Sequence, residues 1–290
     1  MKKKTKKQLT IDIVIILIFL IIAVFRYLNR EEAASLVEGT VEMHIIDVGQ
    51  GDSVLFKTEA GNILIDAGTG ESETALSNYL DSVGVDSFEY CIFTHPHEDH
   101  IGGADMIMDN YEVRNVIMSP AVTTTNTFEK LLDALERSEA NIIEAEPDMK
   151  YYVGDVEIMI MGPIVVGEER DLNNTSVITR ITYGAVRMLF TGDAEAIQEQ
   201  DILREYSIFD LDCDFLKMGH HGSSTSSSED FINAVTPSIA AISCGKDNSY
   251  GHPHREIVAL LNERNIEYHR TDELGDLVYV CNGKRLEYRD

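Results

Sequence analysis

Residues 91–103 read CIFTHPHEDHIGG. The apolar run YCIFT (90–94) reads as a buried strand, and its far end delivers a tight loop. Within HPHEDH (95–100), four side chains can ligate a metal: His95, His97, Asp99 and His100. Pro96 prevents the loop from continuing as an ordinary helix. Three of the chain's nine histidines are spent here. Imidazoles and a carboxylate at alternate positions of a tight loop converge on one side, and they suit zinc, iron or manganese. Glu98 falls outside the alternation and is expected to face solvent. One loop cannot complete two coordination spheres, so further ligands are expected at other strand ends.

Two stretches supply them. MLFTGD (188–193) places Asp193 after an apolar strand, with a helix expected from Ala194; the competing role is a helix N-cap, common for Asp. FLKMGHHGSS (215–224) ends a strand with His220 and His221 between glycines. Adjacent histidines point in different directions, so one can bind metal while the other faces a substrate. GHHGSSTSSS also offers the hydroxyls and backbone N–H groups of Ser223 and Ser224 to phosphate oxygens, or is a solvated serine-rich loop. In YGHPH (250–254), His252 is a candidate for the same cleft and His254 is expected to open the next helix. His44 and His269 stand alone and read as structural.

Around these motifs, strands and helices interleave from Val41 onward. VEMHIIDVG, SVLFKT and NILIDAG read as strands, SETALSNYLDSVG as a helix stopped by Gly84, and TFEKLLDALERSEA as a longer helix. In the second half, SVITRITYGAVRMLFTGD reads as a hairpin turning at Tyr183-Gly184-Ala185. DLVYVCNGKRLEY reads as another, over Asn282-Gly283. This grouping suggests an α/β domain of two mixed sheets packed face to face with helices outside; periodicity alone does not separate it from other α/β arrangements, and the motifs have to decide.

Composition sets outer bounds. There are 24 Lys+Arg against 50 Asp+Glu, and seven of the basic residues lie in the first thirty positions with one acid, Asp12. The remainder carries 17 basic and 49 acidic residues, a formal charge of −32. Such a body repels polyanions at long range and argues against a broad nucleic-acid-binding surface. The four cysteines form no C-x-x-C pair and predict no disulfide framework. The N-terminus divides into a basic tail (1–10), an apolar segment (11–28) and a polar linker (29–40), ahead of the domain at 41–290. A Lys cluster before an apolar run predicts a transmembrane signal anchor, with a signal peptide as the alternative. The expected localisation is a single-pass membrane protein, its N-terminus cytoplasmic and its catalytic domain extracellular.

THPHEDHIGG (94–103) resembles the signature of the metallo-β-lactamase superfamily, and ILIDAG, FTGD and the later histidine follow in the superfamily's order. IDVGQGDSVLF, NNTSVITRITYGAVRMLFTGD, LKMGHHGSSTSSS and YGHPH resemble the hydrolase domain of ComEC-type competence proteins and their stand-alone relatives. The resemblance spans Val41 to Asp290. It implies an αββα sandwich with the site at one edge between the sheets, and two divalent metal ions, Zn²⁺ or Mn²⁺. It implies that His95 and His97 hold one metal, that Asp99 and His100 hold the second, and that Asp193 bridges them. His221, or His220, would complete the second site, and Asp66 would brace the loop from behind. The family usually supplies another histidine to the first metal from the segment before the TGD strand. This chain has DLNNTS there, so Asn174, or Asn173, is the expected substitute through its amide oxygen. Asp99, His220 and His252 are the implied catalytic residues, with His252 as proton donor or phosphate contact.

The leading functional expectation is a metal-dependent hydrolase of phosphodiesters, with single-stranded DNA as one substrate and competence or cell-envelope proteins as partners. The acidic body points instead to a small phosphoester or an envelope polymer such as phosphorylcholine-decorated teichoic acid. A non-catalytic metal-binding module is the alternative of another class, and β-lactam hydrolysis a further one that the finer motifs disfavour.

Overall fold

The computed structural model describes residues 39–165 and 170–289, together with the single positions 17 and 24. In chain order the strands are β1 (Val41–Ile45), β2 (Val54–Thr58), β3 (Gly61–Ile65), β4 (Ser87–Phe93), β5 (Glu112–Met118), β6 (Asn141–Glu144), β7 (Lys150–Val153) and β8 (Val156–Gly162). They continue as β9 (Ile178–Tyr183), β10 (Val186–Phe190), β11 (Phe215–Lys217), β12 (Ile239–Ile242), β13 (Glu267–Arg270), β14 (Leu277–Cys281) and β15 (Leu286–Arg289). One sheet runs β15-β14-β1-β2-β3-β4-β5-β6 and the other β13-β12-β11-β10-β9-β8-β7. Both are mixed. The first is antiparallel from β15 to β3 and parallel from β3 to β6; the second is parallel from β13 to β10 and antiparallel from β10 to β7.

The period of two along each strand assigns side chains to layers. Met43 and Ile45 of β1, Ile63 and Ile65 of β3, Ile92 of β4, and Met188 and Phe190 of β10 share one core between the sheets. Leu64, Cys91 and Phe93 face the other way, into an apolar layer with Leu76, Leu80, Ile107 and Leu131 of the helices Glu73–Ser82, Ala104–Asn110 and Asn126–Arg137. Leu189 and Leu216 likewise meet Ile202, Phe231 and Leu261 from the helices Ala196–Glu205, Glu229–Val235 and Arg255–Glu263. Strands covered on both faces read as continuous apolar runs, which is why YCIFT and MLF show no alternation. The expected αββα sandwich is therefore the observed one.

Local chemistry explains the joints. The helix Glu73–Ser82 stops where Gly84 takes φ +72°, and Val85 N–H closes back on Leu80 O at 3.0 Å. The hairpin β14–β15 turns at Asn282-Gly283, with Gly283 at φ +78°. Among the described residues, and apart from 3-10 turns, five elements escaped the sequence reading: β6, β7 and the one-turn helices Glu98–Ile101, Ile208–Leu211 and Thr271–Leu274.

The expected single-pass localisation is overturned. Among the described residues no helix is long and apolar enough to cross a membrane. The segment 11–28, on which that expectation rested, lies outside the described residues except for Leu17 and Val24.

Candidate metal centre

Chain ends of the parallel strands in both sheets meet at one edge, the position where open α/β sheets place ligands. β3 delivers Asp66, β4 delivers the 95–100 loop, β10 delivers Asp193 and β11 delivers His220 and His221. After His97 the loop turns directly into the short helix Glu98–Ile101, so Asp99 and His100 occupy its first turn. Glu98 is exposed, and it also accepts the Gly70 N–H at 2.8 Å. Close approach fixes the loop from the other side: a Cβ at Gly51 would lie 2.5 Å from the Asp99 carbonyl oxygen.

Asp99, His100, Asp193 and His221 bring one ligand atom each to within 4.8 Å of one another. His100 Nε2 lies 3.1 Å from Asp193 Oδ1, and His221 Nε2 lies 3.2 Å from Asp99 Oδ2 and 3.7 Å from Asp193 Oδ1. His95 Nε2 is 3.0 Å from His97 Nδ1 and 3.8 Å from Asp193 Oδ2. Asp193 does not cap a helix, because the helix begins at Ala196 behind Glu195; its backbone N–H donates to Ser176 Oγ at 3.1 Å.

Behind the ligand candidates sits a layer of acceptors. Asp66, at φ +59°, accepts from Thr94 N–H at 2.8 Å and Thr94 Oγ1 at 2.7 Å, and lies 2.7 Å from His100 Nδ1. That contact fixes the His100 tautomer and leaves Nε2 for the cleft. His221 Nδ1 is held the same way by Ser243 O at 3.0 Å and Asp52 Oδ1 at 3.2 Å. Asp52 in turn pairs with Lys217, a lysine only 1% exposed on β11.

The electrostatics show what this arrangement lacks. Asp52, Asp66 and Asp193 are buried, and Asp99 faces them, against the single lysine Lys217. Burial opposes charge on Asp193, but His100 and His221 outweigh it and hold the carboxyl well below the usual carboxylate range. Burial likewise opposes protonation of His100, yet Asp193 and Asp66 raise it well above its ordinary value. His221 is pushed up to about 9 by Asp193 and Asp52 against the same opposition. Burial and the neighbouring His100 push His95 well below its ordinary value. Without another cation the carboxylates retain protons on two imidazoles. His100 Nε2 and Asp193 Oδ1 are nonetheless buried with no properly formed hydrogen bond. Imidazole nitrogens and carboxylate oxygens, orphaned and facing one another, fit a divalent cation, which would displace those protons.

The site opens into a cleft of about 470 Å³ lined by Gln50, His97, Asp99, Asn173, His220 and His252, with Tyr250 at its edge. His252 is buried, stacks on Tyr250 with ring centroids 5.6 Å apart, and lies 3.3 Å from Gln50 Nε2 through Nδ1. Burial first, then His221 and His220, lower it to about 4. Asn174 is turned away from the cleft. Its Oδ1 accepts the Glu195 N–H at 3.1 Å and its Nδ2 donates to Glu195 Oε2 at 3.2 Å, whereas the buried Asn173 Oδ1 has no hydrogen-bond partner. Ser223 and Ser224 lie outside the cleft lining. Ser223 Oγ meets Thr225 Oγ1 at 3.0 Å, and Ser224 N–H donates to His254 Nδ1 at 2.9 Å. His254 stands at the N-cap of the helix Arg255–Glu263, as expected. Sequence reading offered Asn173 only as the second choice after Asn174, and it missed Gln50, Asp52, Lys217 and Tyr250. Gln50 and Asp52 lie in IDVGQGDSVLF, which carries the resemblance without giving either residue a role, and Lys217 is one residue of the strand in FLKMGHHGSS.

A superfamily model described as the metallo-β-lactamase superfamily matches residues 46–246. ComE operon protein 3 of Bacillus subtilis is 30% identical over 260 residues, covering 83% of this chain and 33% of that protein. Recombination protein 2 of Haemophilus influenzae is 28% identical over 253 residues, covering 86% of this chain and 29% of that protein. The competence protein ComA of Neisseria gonorrhoeae is 27% identical over 247 residues, 83% of this chain and 32% of that protein. The chain thus spans about a third of the length of these curated relatives. Among solved structures, the metallo-β-lactamase fold protein YhfI of Bacillus subtilis superposes with a TM-score of 0.58 at 14% identity, over 84% of this chain and all of that one. CmlA, a diiron β-hydroxylase of Streptomyces venezuelae, gives 0.55 at 14% identity, over 87% of this chain and 55% of that one. Motif, fold and superfamily match agree: this chain belongs to the metallo-β-lactamase superfamily and is a metallo-hydrolase-fold protein related to the competence proteins.

Proposed function

We propose that the chain is a phosphodiesterase dependent on divalent metal, Zn²⁺ or Mn²⁺, with nuclease action on single-stranded DNA as the competence-type reading. The observation that carries it is the convergence of Asp99, His100, Asp193 and His221 on one spot beside an open cleft. Divalent cations held there supply Lewis acidity toward a phosphoryl oxygen and bring the pKa of water to roughly 7. The four residues would hold one cation, with His95 and His97 beginning a second site.

The chain's own groups prepare the substrate side. Gly245 N–H donates to Gln50 Oε1 at 3.0 Å, so the amide is oriented with Nε2 toward His252 Nδ1. That donor fixes the N–H of a neutral His252 on Nε2. The low pKa keeps the ring neutral near pH 7, so His252 donates a hydrogen bond to a phosphate oxygen rather than a full proton to the leaving group. Asn248 locks the loop: its Oδ1 accepts His252 N–H at 3.0 Å and its Nδ2 donates to Gly245 O at 2.8 Å. Ser223 Oγ and the Ser224 N–H are taken up by Thr225 and His254, and neither residue lines the cleft, so the reading assigns them no contact with substrate.

The test is hydrolysis of bis-p-nitrophenyl phosphate, linear single-stranded DNA and nitrocefin by the full chain with added Zn²⁺ or Mn²⁺. Turnover of the diester is expected, with Asp193→Ala and His97→Ala each lowering it by more than the roughly 10–100-fold typical of losing an outer hydrogen-bond partner. Activity unchanged in both variants would sink the assignment. Turnover of the small diester without cleavage of DNA would move the substrate to a small phosphoester or envelope polymer. Metal uptake with no turnover of any substrate would favour a binding module.

A further inference from the structure

We infer that His220 and His221 are both metal ligands, one on each side of Asp193, and that His220 completes the site begun by His95 and His97. The inference rests on the metal-dependent reading above and assigns the ligand that the chain lacks before its TGD strand.

The two oxygens of Asp193 divide the histidines evenly. Oδ1 lies 3.1 Å from His100 Nε2 and 3.7 Å from His221 Nε2. Oδ2 lies 3.8 Å from His95 Nε2 and 3.7 Å from His220 Nε2. The latter separations are too long for hydrogen bonds. They suit donors sharing one ion, because nitrogen and oxygen ligands about 2.0–2.2 Å from a tetrahedral cation stand roughly 3.3–3.6 Å from each other, and slightly further apart as the angle opens.

The backbone explains how neighbouring residues reach opposite oxygens. His220 has φ 50°, ψ 48° and His221 has φ 54°, ψ 25°. Two successive left-handed residues cost roughly 1–2 kcal/mol each. Regular backbone would send the two rings to unrelated faces; here they are splayed around one carboxylate, centroids 6.2 Å apart and planes at 70°. The turn is pinned by His220 N–H donating to Gly192 O at 3.1 Å and Ser223 N–H donating to His220 O at 2.8 Å. His220 also has the outer partners of a ligating imidazole: its Nδ1 is 3.2 Å from Thr225 Oγ1 and 3.6 Å from Glu195 Oε1, which leaves Nε2 for the metal side. Asn174, turned onto Glu195, offers no competing donor. The rival is Asn173, whose Oδ1 is buried and unpartnered at the cleft wall.

The experiment counts ions. Full-length chain stripped with a chelator is titrated with Mn²⁺ or Zn²⁺ against a chromophoric competitor, and bound metal is measured by mass spectrometry. The wild type should take up two ions. His220→Gly, which accepts the left-handed backbone without strain, should take up one, as should His97→Ala and the double variant of the two, since both substitutions strike the same site. His220→Asn, which also tolerates this backbone, should weaken that site by more than roughly 100-fold, beyond the loss of an outer hydrogen-bond partner. Two ions retained in His220→Gly with a loss of 10–100-fold or less would overturn the inference while leaving the hydrolase reading intact. So would loss of the ion in Asn173→Ala but not in His220→Gly. A wild type that takes up no metal would overturn both.

Discussion

At the scale of single residues, the molecule treats its histidines in two ways. Those in the 95–100 loop and His221 sit among carboxylates, whereas His44 lies on the outer face of β1 with Nδ1 2.8 Å from the Tyr79 hydroxyl and Nε2 buried, 3.6 Å from Glu42 Oε2. Burial, opposed by Glu42, lowers His44 to about 4 from an ordinary 6.5. The sign follows from proton counting: between these values the unfolded chain binds a proton that the folded chain refuses. Its contribution to stability is therefore present above pH 6.5 and is lost as pH falls toward 4, by up to about 3 kcal/mol as an upper bound. Urea unfolding at several pH values should show a shallower acid-side loss for His44→Gln than for wild type. Equal slopes would mean that His44 titrates normally in the fold.

At the scale of elements, one ion pair ties the sheets together. Lys217 projects from β11 of the second sheet to Asp52, in the loop between β1 and β2 of the first. The same carboxylate contacts His221 Nδ1, so the pair joins sheet packing to ligand orientation. Asp52 is held below its usual range by Lys217 and His221 although burial opposes its charge. Lys217→Met leaves that carboxylate buried without its cation and should destabilise the fold by about 3–5 kcal/mol. Asp52→Asn added to Lys217→Met should recover part of the loss, read by denaturant midpoints. A double variant no better than the single one would show that lost packing of the lysine stem, not the unpaired charge, dominates.

At the scale of the whole molecule, a formal charge of −26 surrounds a cleft proposed to take a phosphodiester. Exposed charges act over a Debye length of about 8 Å at physiological ionic strength. Added salt should therefore raise kcat/KM for single-stranded DNA by screening repulsion, the reverse of the fall expected for a basic DNA-binding protein. The rate with bis-p-nitrophenyl phosphate, a single negative charge, should barely respond. A steep fall of DNA cleavage with salt would instead reveal a locally basic track.

The sequence alone determined the α/β class and the ligand candidates of the 95–100 loop, because ligand spacing and strand periodicity are local properties of the chain, and its quoted motifs carried the family resemblance. It also placed Asp193 and the histidine pair at strand ends. Only the tertiary structure decided that Asn174 faces Glu195 while Asn173 faces the cleft, that Ser223 Oγ and the Ser224 N–H turn to Thr225 and His254, and that Lys217 and Asp52 meet across the sheets. Neighbours such as 173 and 174, or 220 and 221, differ by a single step of φ and ψ. Partners such as 52 and 217 lie 165 positions apart, and no local pattern records either choice.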